Sequence, residues 1–237
     1  MRLGILKTGA PPAPLDAQFG SYPDMFQNLL GPDAYDYVIF DVAAGETPAR
    51  PETCDAYLVT GSSVGVYDPE PWIADLIAFL RAARGRAGLV GVCFGHQVMA
   101  QAFGGQVTKS PKGWGIGLHA YALQEKVPGL EQRQALSAPA SHQDQVVSLP
   151  PGAQVLASSA FTPFGMLAYG DQPAISVQLH PEFEPAYAQA LIEARRGSRY
   201  EDAQADQALA SYAAPDDRAA LGEWISTFLA TLPSTRD

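Results

Sequence analysis

The segment 88–97, Gly-Leu-Val-Gly-Val-Cys-Phe-Gly-His-Gln, constrains this chain more than any other. Five apolar or small residues run without interruption into Cys93, and a helix-compatible stretch follows at once. An uninterrupted apolar strand is one covered on both faces, as in a parallel sheet. A strand that turns sharply into a helix strains its central residue and needs small neighbours. Gly91 and Gly95 stand two residues before and two after Cys93. This is the pattern of a nucleophile elbow with a thiol at its tip. The turn lifts the sulfur above the sheet and places it at a helix N-terminus, where dipole and free N–H groups favour a thiolate. It also aims the N–H of Phe94 at an oxyanion. On the pentapeptide alone, a buried cysteine in an ordinary β–α turn fits equally well.

The same rhythm extends along the chain. Short apolar runs at 3–6, 35–42, 56–60 and 88–92 read as strands, with helices at 23–30, 71–84 and 96–103. Strand–helix alternation predicts an α/β fold: a three-layer, flavodoxin-like, mostly parallel sheet with helices on both faces. Chemistry in such sheets gathers at the carboxyl ends of strands, where Thr60-Gly61-Ser62-Ser63, Cys93 and His180 all fall. Segments 106–109, 118–123, 154–158, 165–169 and 174–179 read as further strands, some in a small antiparallel extension. Helices are expected at 185–196, 201–212 and 216–229, with Asp216-Asp217 suited to a positive helix end. With no repeat and no long linker, residues 1–237 read as one domain whose helical extension occupies about 185–237.

A chain of 237 residues buries enough surface to fold without disulfides or metal. Its formal net charge of −10 repels phosphate backbones, which argues against nucleic-acid binding. The two cysteines, Cys54 and Cys93, do not make a disulfide scaffold, and Cys54 is expected to be inert. Lys7 interrupts the first apolar run, so no signal peptide or membrane span is expected, and the protein reads as cytoplasmic. No histidine pair has metal-ligand spacing, so no metal and no cofactor are predicted. The glycines of 61–65 lack the Gly-Lys-Ser/Thr ending of a phosphate loop.

A thiol nucleophile needs a base, and the base needs an acceptor to orient it. His180 ends an apolar strand and is followed by Pro181 and Glu182. A carboxylate two residues on can hold one ring nitrogen, although a solvated loop histidine beside an unrelated glutamate reads as well on its own. His96 and His119 read as structural, while His142 sits in the polar run Ser141-His142-Gln143-Asp144 and is a pocket-lining candidate. Trp114 fits either a substrate-facing or a packing role. Arg195, Arg196 and Arg199 read as a solvated helix end.

With Gly91-Val92-Cys93-Phe94-Gly95-His96-Gln97 and Val177-Gln178-Leu179-His180-Pro181-Glu182 in view, the chain resembles the class I, triad-type glutamine amidotransferases. Within them it looks most like the single-domain proteins related to the amidotransferase part of GMP synthase. Lys112-Gly113-Trp114 and Ser141–Asp144 add to that likeness, and 60–68 looks like the family's oxyanion loop. The resemblance implies Cys93 as nucleophile, His180 as acid/base and Glu182 as orienter, acting on glutamine or a γ-glutamyl compound through a thioester. It implies an oxyanion hole from Phe94 and Ser62, beside Gly61, with Gln97 holding the glutamyl group directly or through the loop. Where related loops often read Gly-Gly-Pro, this chain has Gly61-Ser62-Ser63, so the hole is set differently. The stretch after Glu182 reads as a helical tail and leaves no room for a fused synthetase. Ammonia release to a separate synthetase subunit and stand-alone γ-glutamyl peptidase action both fit, with a catalytically silent binding protein as a third reading.

Overall fold

The computed structural model describes residues 1–124 and 127–233; residues 234–237 of the expected helical extension lie outside them. Chain order is β1 (Arg2–Lys7), α1 (Leu15–Phe19), α2 (Tyr22–Leu30), β2 (Asp36–Asp41), β3 (Ala56–Val59), α3 (Pro71–Ala83), β4 (Gly88–Val92) and α4 (Phe94–Ala102). The middle holds β5 (Gln106–Lys109), β6 (Gly115–Leu123), β7 (Ala135–His142), β8 (Asp144–Ser148), β9 (Ala153–Ser158), β10 (Met166–Tyr169) and β11 (Ala174–Val177). Then come α5 (Pro185–Arg195), α6 (Asp202–Ser211) and α7 (Arg218–Ala230). The main sheet runs β2-β1-β3-β4-β11-β10-β9-β6-β7. Its first five strands pair in parallel and the remainder antiparallel. β5 and β8 form a separate antiparallel pair. Strands β7 and β8 fall where the sequence reads loop, so His142 ends a strand rather than lying in a polar loop.

Side-chain alternation fills both faces of the parallel half. Leu3, Ile5, Leu58, Val90 and Val92 point into one apolar layer with Phe26 and Leu30 of α2. Leu6, Tyr57, Val59 and Leu89 point into the other, against Ile73, Leu76 and Leu80 of α3 and Val98 and Met99 of α4. This is the period of two that a pleated strand imposes. Helix α2 begins with a capping box: the Ser21 hydroxyl receives the Asp24 N–H, and the Asp24 carboxylate receives the Ser21 N–H.

The C-terminal helix belongs to the first of these layers. Leu221, Trp224, Ile225 and Leu229 are buried there beside α2 and the sheet. Its start is tied to β7, where the Asp217 carboxylate accepts the Ser137 N–H and pairs with Arg133. Asp217 thus serves the expected helix start, and its carboxylate bonds across to the sheet rather than back to the helix. At about 1.5–3 kcal/mol for each large apolar side chain, α7 contributes about 6–12 kcal/mol of burial, comparable to the about 5–15 kcal/mol net stability of an ordinary domain. Truncation after residue 215 should therefore abolish cooperative unfolding in a calorimetric or circular-dichroism melt; a truncated chain that still melts sharply would refute this role for α7.

His96 shows how tightly α4 is set on the sheet. Its ring is fully buried, and Nδ1 meets the Ser176 hydroxyl of β11 at 2.8 Å. Burial lowers its pKa to about 3, so the native state keeps it neutral. The unfolded chain takes up a proton below its ordinary pKa, so this share of stability is present above about pH 6.5 and is lost as pH falls toward 3. At pH 4.5 the loss is on the order of 2 kcal/mol. Urea midpoints of the native and His96→Gln proteins between pH 7 and 4.5 should show a shallower fall for the variant, whatever its absolute stability. Parallel curves would count against the assignment.

Candidate active site

Three neighbouring parallel strands, β3, β4 and β11, end side by side. Val59 pairs with Gly91 and Val92 pairs with Val177, so the segments leaving these strands meet above one edge of the sheet. They carry Gly61 and Ser62, then Cys93, then His180.

Cys93 is the N-cap of α4 with φ 54° and ψ −103°. It is the sole described residue other than glycine with positive φ, and a side chain held there costs on the order of 1–3 kcal/mol. The surroundings impose it. A Cβ on Gly91 would lie 2.6 Å from the Gly95 carbonyl and the Met99 sulfur, and one on Gly95 would collide with the Val59 carbonyl. Only glycine lets α4 descend this steeply onto β3 and β4. The Cys93 N–H is held by the Val177 carbonyl at 2.9 Å, which fixes the turn against β11. Phe94 is buried beneath, its ring 5.5 Å from Trp72, and its N–H is one of the helix-start amides without an intrahelical acceptor.

His180 is buried, stacked on Phe183 at 3.9 Å, and fixed through its own N–H to the Pro139 carbonyl at 2.8 Å. Nδ1 lies 2.8 Å from the Glu182 carboxylate, which is itself only 1% exposed. Nε2, the other ring nitrogen, is buried and not engaged by Glu182, which leaves it for the Cys93 side. Burial works to lower the pKa of His180, but the Cys93 sulfur and the Glu182 carboxylate outweigh it and raise the imidazole to about 10. An imidazolium is thus favoured between a sulfur and a carboxylate in a dry setting.

The loop after β3 closes the site. The Thr8 hydroxyl donates to the carbonyls of Thr60 or Gly61 at 3.0 and 3.1 Å, pinning the loop to the end of β1. A Cβ on Gly61 would stand 3.1 Å from the His180 ring and 3.8 Å from Cys93 Cβ. Gly61, Ser62, Cys93, Gln97, His142 and His180 line one cleft of about 280 Å³. Glu182 stands outside that lining, beyond the histidine. Gln97 spends its amide N–H groups on the Asp144 carbonyl at 2.8 Å and the Gln178 side chain at 3.1 Å, so it ties α4 to the start of β8 and to the segment after β11. His142 has Nδ1 3.2 Å from the Asp144 carbonyl, and burial, with His119 next in effect, lowers its pKa to about 3.

Two further cleft residues, Tyr22 and Tyr67, do not stand out in the sequence. Tyr22 enters from α2, and Tyr67 enters from the β3 loop with its hydroxyl 2.9 Å from Asp144. Trp114 lines the cleft while its ring packs edge-on to Tyr200. The arginines at the end of α5, expected to form one solvated face, divide. Arg196 pairs with Glu193 and Asp206, whereas Arg195 and Arg199 line the cleft. Arg195 ends α5, and Arg199 lies in the turn beyond it, brought back by its N–H to the Arg195 carbonyl at 3.0 Å. Cys54 is buried, its thiol pKa raised by burial, in keeping with an inert group.

The chain matches the model of the family "Glutamine amidotransferase class-I" over residues 40–195. It is 28% identical to a glutamine amidotransferase-like protein of Schizosaccharomyces pombe, covering 96% of this chain and 98% of the relative. It is 29% identical to gamma-glutamyl peptidase 4 of Arabidopsis thaliana over 70% of this chain and 69% of the relative. Among solved structures, a glutamine amidotransferase from Methylobacillus flagellatus superposes with a TM-score of 0.78 at 21% identity, covering all of this chain and 96% of that one. That likeness speaks to the fold, a mostly parallel sheet between helical layers. The matched family span and the superposed fold agree: this chain belongs to the class-I glutamine amidotransferase family.

Proposed function

We propose that this protein hydrolyses γ-glutamyl amides through Cys93, His180 and Glu182. The observation that carries the reading is the strained Cys93 at the elbow, beside a buried His180 whose Nδ1 is held 2.8 Å from Glu182. In this mechanism His180 already holds the proton of the Cys93 sulfur, and the thiolate attacks the γ-carbonyl carbon. The carbonyl oxygen takes the negative charge, facing the N–H groups of Phe94 and Ser62. The C–N bond then breaks, and the amine leaves with the proton from His180. His180 next deprotonates a water that attacks the thioester; the C–S bond breaks and the sulfur leaves as a thiolate beside the protonated His180. Glutamate and ammonia, or glutamate and an amine, are the products. Glu182 keeps the imidazole oriented and steadies its positive charge throughout.

The family supports amide hydrolysis in general. With glutamine the product is ammonia, which a separate synthetase subunit would consume. The Arabidopsis relative's name favours the second reading, a γ-glutamyl peptidase, at 29% identity over 70% of this chain. The Cys–His–Glu assignment is common to both.

Purified protein incubated with glutamine, and separately with γ-glutamyl dipeptides, should release ammonia or amine from at least one. Cys93→Ala should lower that rate by roughly a thousandfold or more, since its partners have no nucleophile to serve. Glu182→Gln retains an acceptor for Nδ1 but not the charge and should cost up to about ten-thousandfold in kcat. A Cys93→Ala protein with unaltered turnover would sink the mechanism. Trapping of a glutamyl thioester on Cys93 by rapid acid quench and mass spectrometry would test the intermediate directly.

A further inference from the structure

Arg195 and Arg199 are difficult to account for structurally. The chain carries 25 acidic against 15 basic residues, so cations have ample carboxylates to pair with. Arg196, between them, pairs with Glu193, Asp202 and Asp206. Among the described residues, neither Arg195 nor Arg199 joins an ion pair. Arg195 donates to the Ser141 hydroxyl at 3.0 Å, and Arg199 lies over the Trp114 ring at 5.2 Å. Burial and then the Arg195 charge lower the pKa of Arg199, so the pair is held together against its own repulsion. Both line the cleft that contains Cys93 and His180. The acidic residues of that cleft are otherwise engaged: Asp68 accepts the Gly65 N–H and Asp144 accepts the Tyr67 hydroxyl.

Two guanidinium groups facing one cleft without a carboxylate partner describe a receptor for an anion. Planar forks suit a carboxylate, and Trp114 adds a flat apolar surface beside it. We propose that Arg195 and Arg199 bind a carboxylate carried by the leaving amine, so that the preferred substrates are γ-glutamyl derivatives of amino acids or peptides. This rests on the γ-glutamyl hydrolase reading and specifies its leaving group. Glutamine, whose leaving group is neutral ammonia, would leave the arginines unused. A carboxylate on the glutamyl part itself is the other source of the same chemistry, and the two are separable by choice of ligand.

Binding to the Cys93→Ala protein avoids turnover. Calorimetric titration with γ-glutamylglycine and γ-glutamylglycinamide compares ligands that differ only in the charge of the leaving group. The acid should bind about ten- to hundredfold more tightly than the amide, the range expected of charge-assisted hydrogen bonds. Arg199→Gln, at the exposed rim, and the Arg195→Gln/Arg199→Gln double substitution should reduce that ratio progressively towards one. Equal binding of acid and amide by the arginine-intact protein would overturn the proposal. A preference that survives the double substitution would also overturn it. So would an equal weakening of acid, amide and glutamine, which would assign the arginines to the glutamyl carboxylate. Should Cys93-containing protein bind with the expected ratio yet cleave none of the three, the hydrolase reading fails while the carboxylate site stands.

Discussion

The contact on which this molecule depends is the seating of α4 directly on β3 and β4. With no side chain at Gly91 or Gly95, the helix start drops until backbone meets backbone, against the Val59 carbonyl. That descent forces Cys93 into φ 54° and lets this buried residue line the cleft above the strand ends. The neighbouring strands then bring the remaining groups to it. β11 delivers His180 because it lies beside β4, and β3 delivers Gly61 because it lies on the other side. A parallel sheet aligns strand ends by construction, so the order of three strands is enough to assemble groups distant in sequence.

Burial has opposite consequences for different histidines. His96 and His142 have neighbours that do not repay the loss of water, and burial keeps them neutral. His180 is as deeply enclosed, but it stands between a sulfur and a carboxylate, and those charges dominate. The distinction lies in partners rather than depth. It leaves one imidazole able to carry charge in a region where the others cannot. The acidic surface of the chain plays no visible part; the electrostatics that matter are local and shielded.

The strand–helix alternation of 3–103 was legible in the sequence because each strand there is apolar on both faces, and β4 falls at 88–92 as its composition predicts. The elbow was legible because steric exclusion leaves a visible pair of glycines. β7 and β8 were not. Ala135–His142 contains Pro139 and three small polar or charged-capable side chains, Ser137, Ser141 and His142, and owes its pairing to β6 rather than to its own propensity. The arginines at and beyond the end of α5 divide for a related reason, with Arg196 on a solvated face and Arg195 and Arg199 at the cleft. Arg195, Arg196 and Arg199 have similar local sequence surroundings, and only the placement of Ser141, Trp114 and Asp206 separates cleft from solvent. Short-range patterns reveal what a residue requires of its immediate neighbours, while tertiary partners stay hidden.

The placement of α7 bears on how such a chain comes to life. Cys93 and its histidine are both made before residues 218–230, yet the apolar layer beneath β4 and β11 is completed by Trp224, Ile225 and Leu229. A growing polypeptide on the ribosome therefore carries the Cys93 thiol well before it has the floor that holds that thiol in register. The elbow gains its full packing only with α7, so an interrupted translation product would be an incompletely packed chain open to proteases.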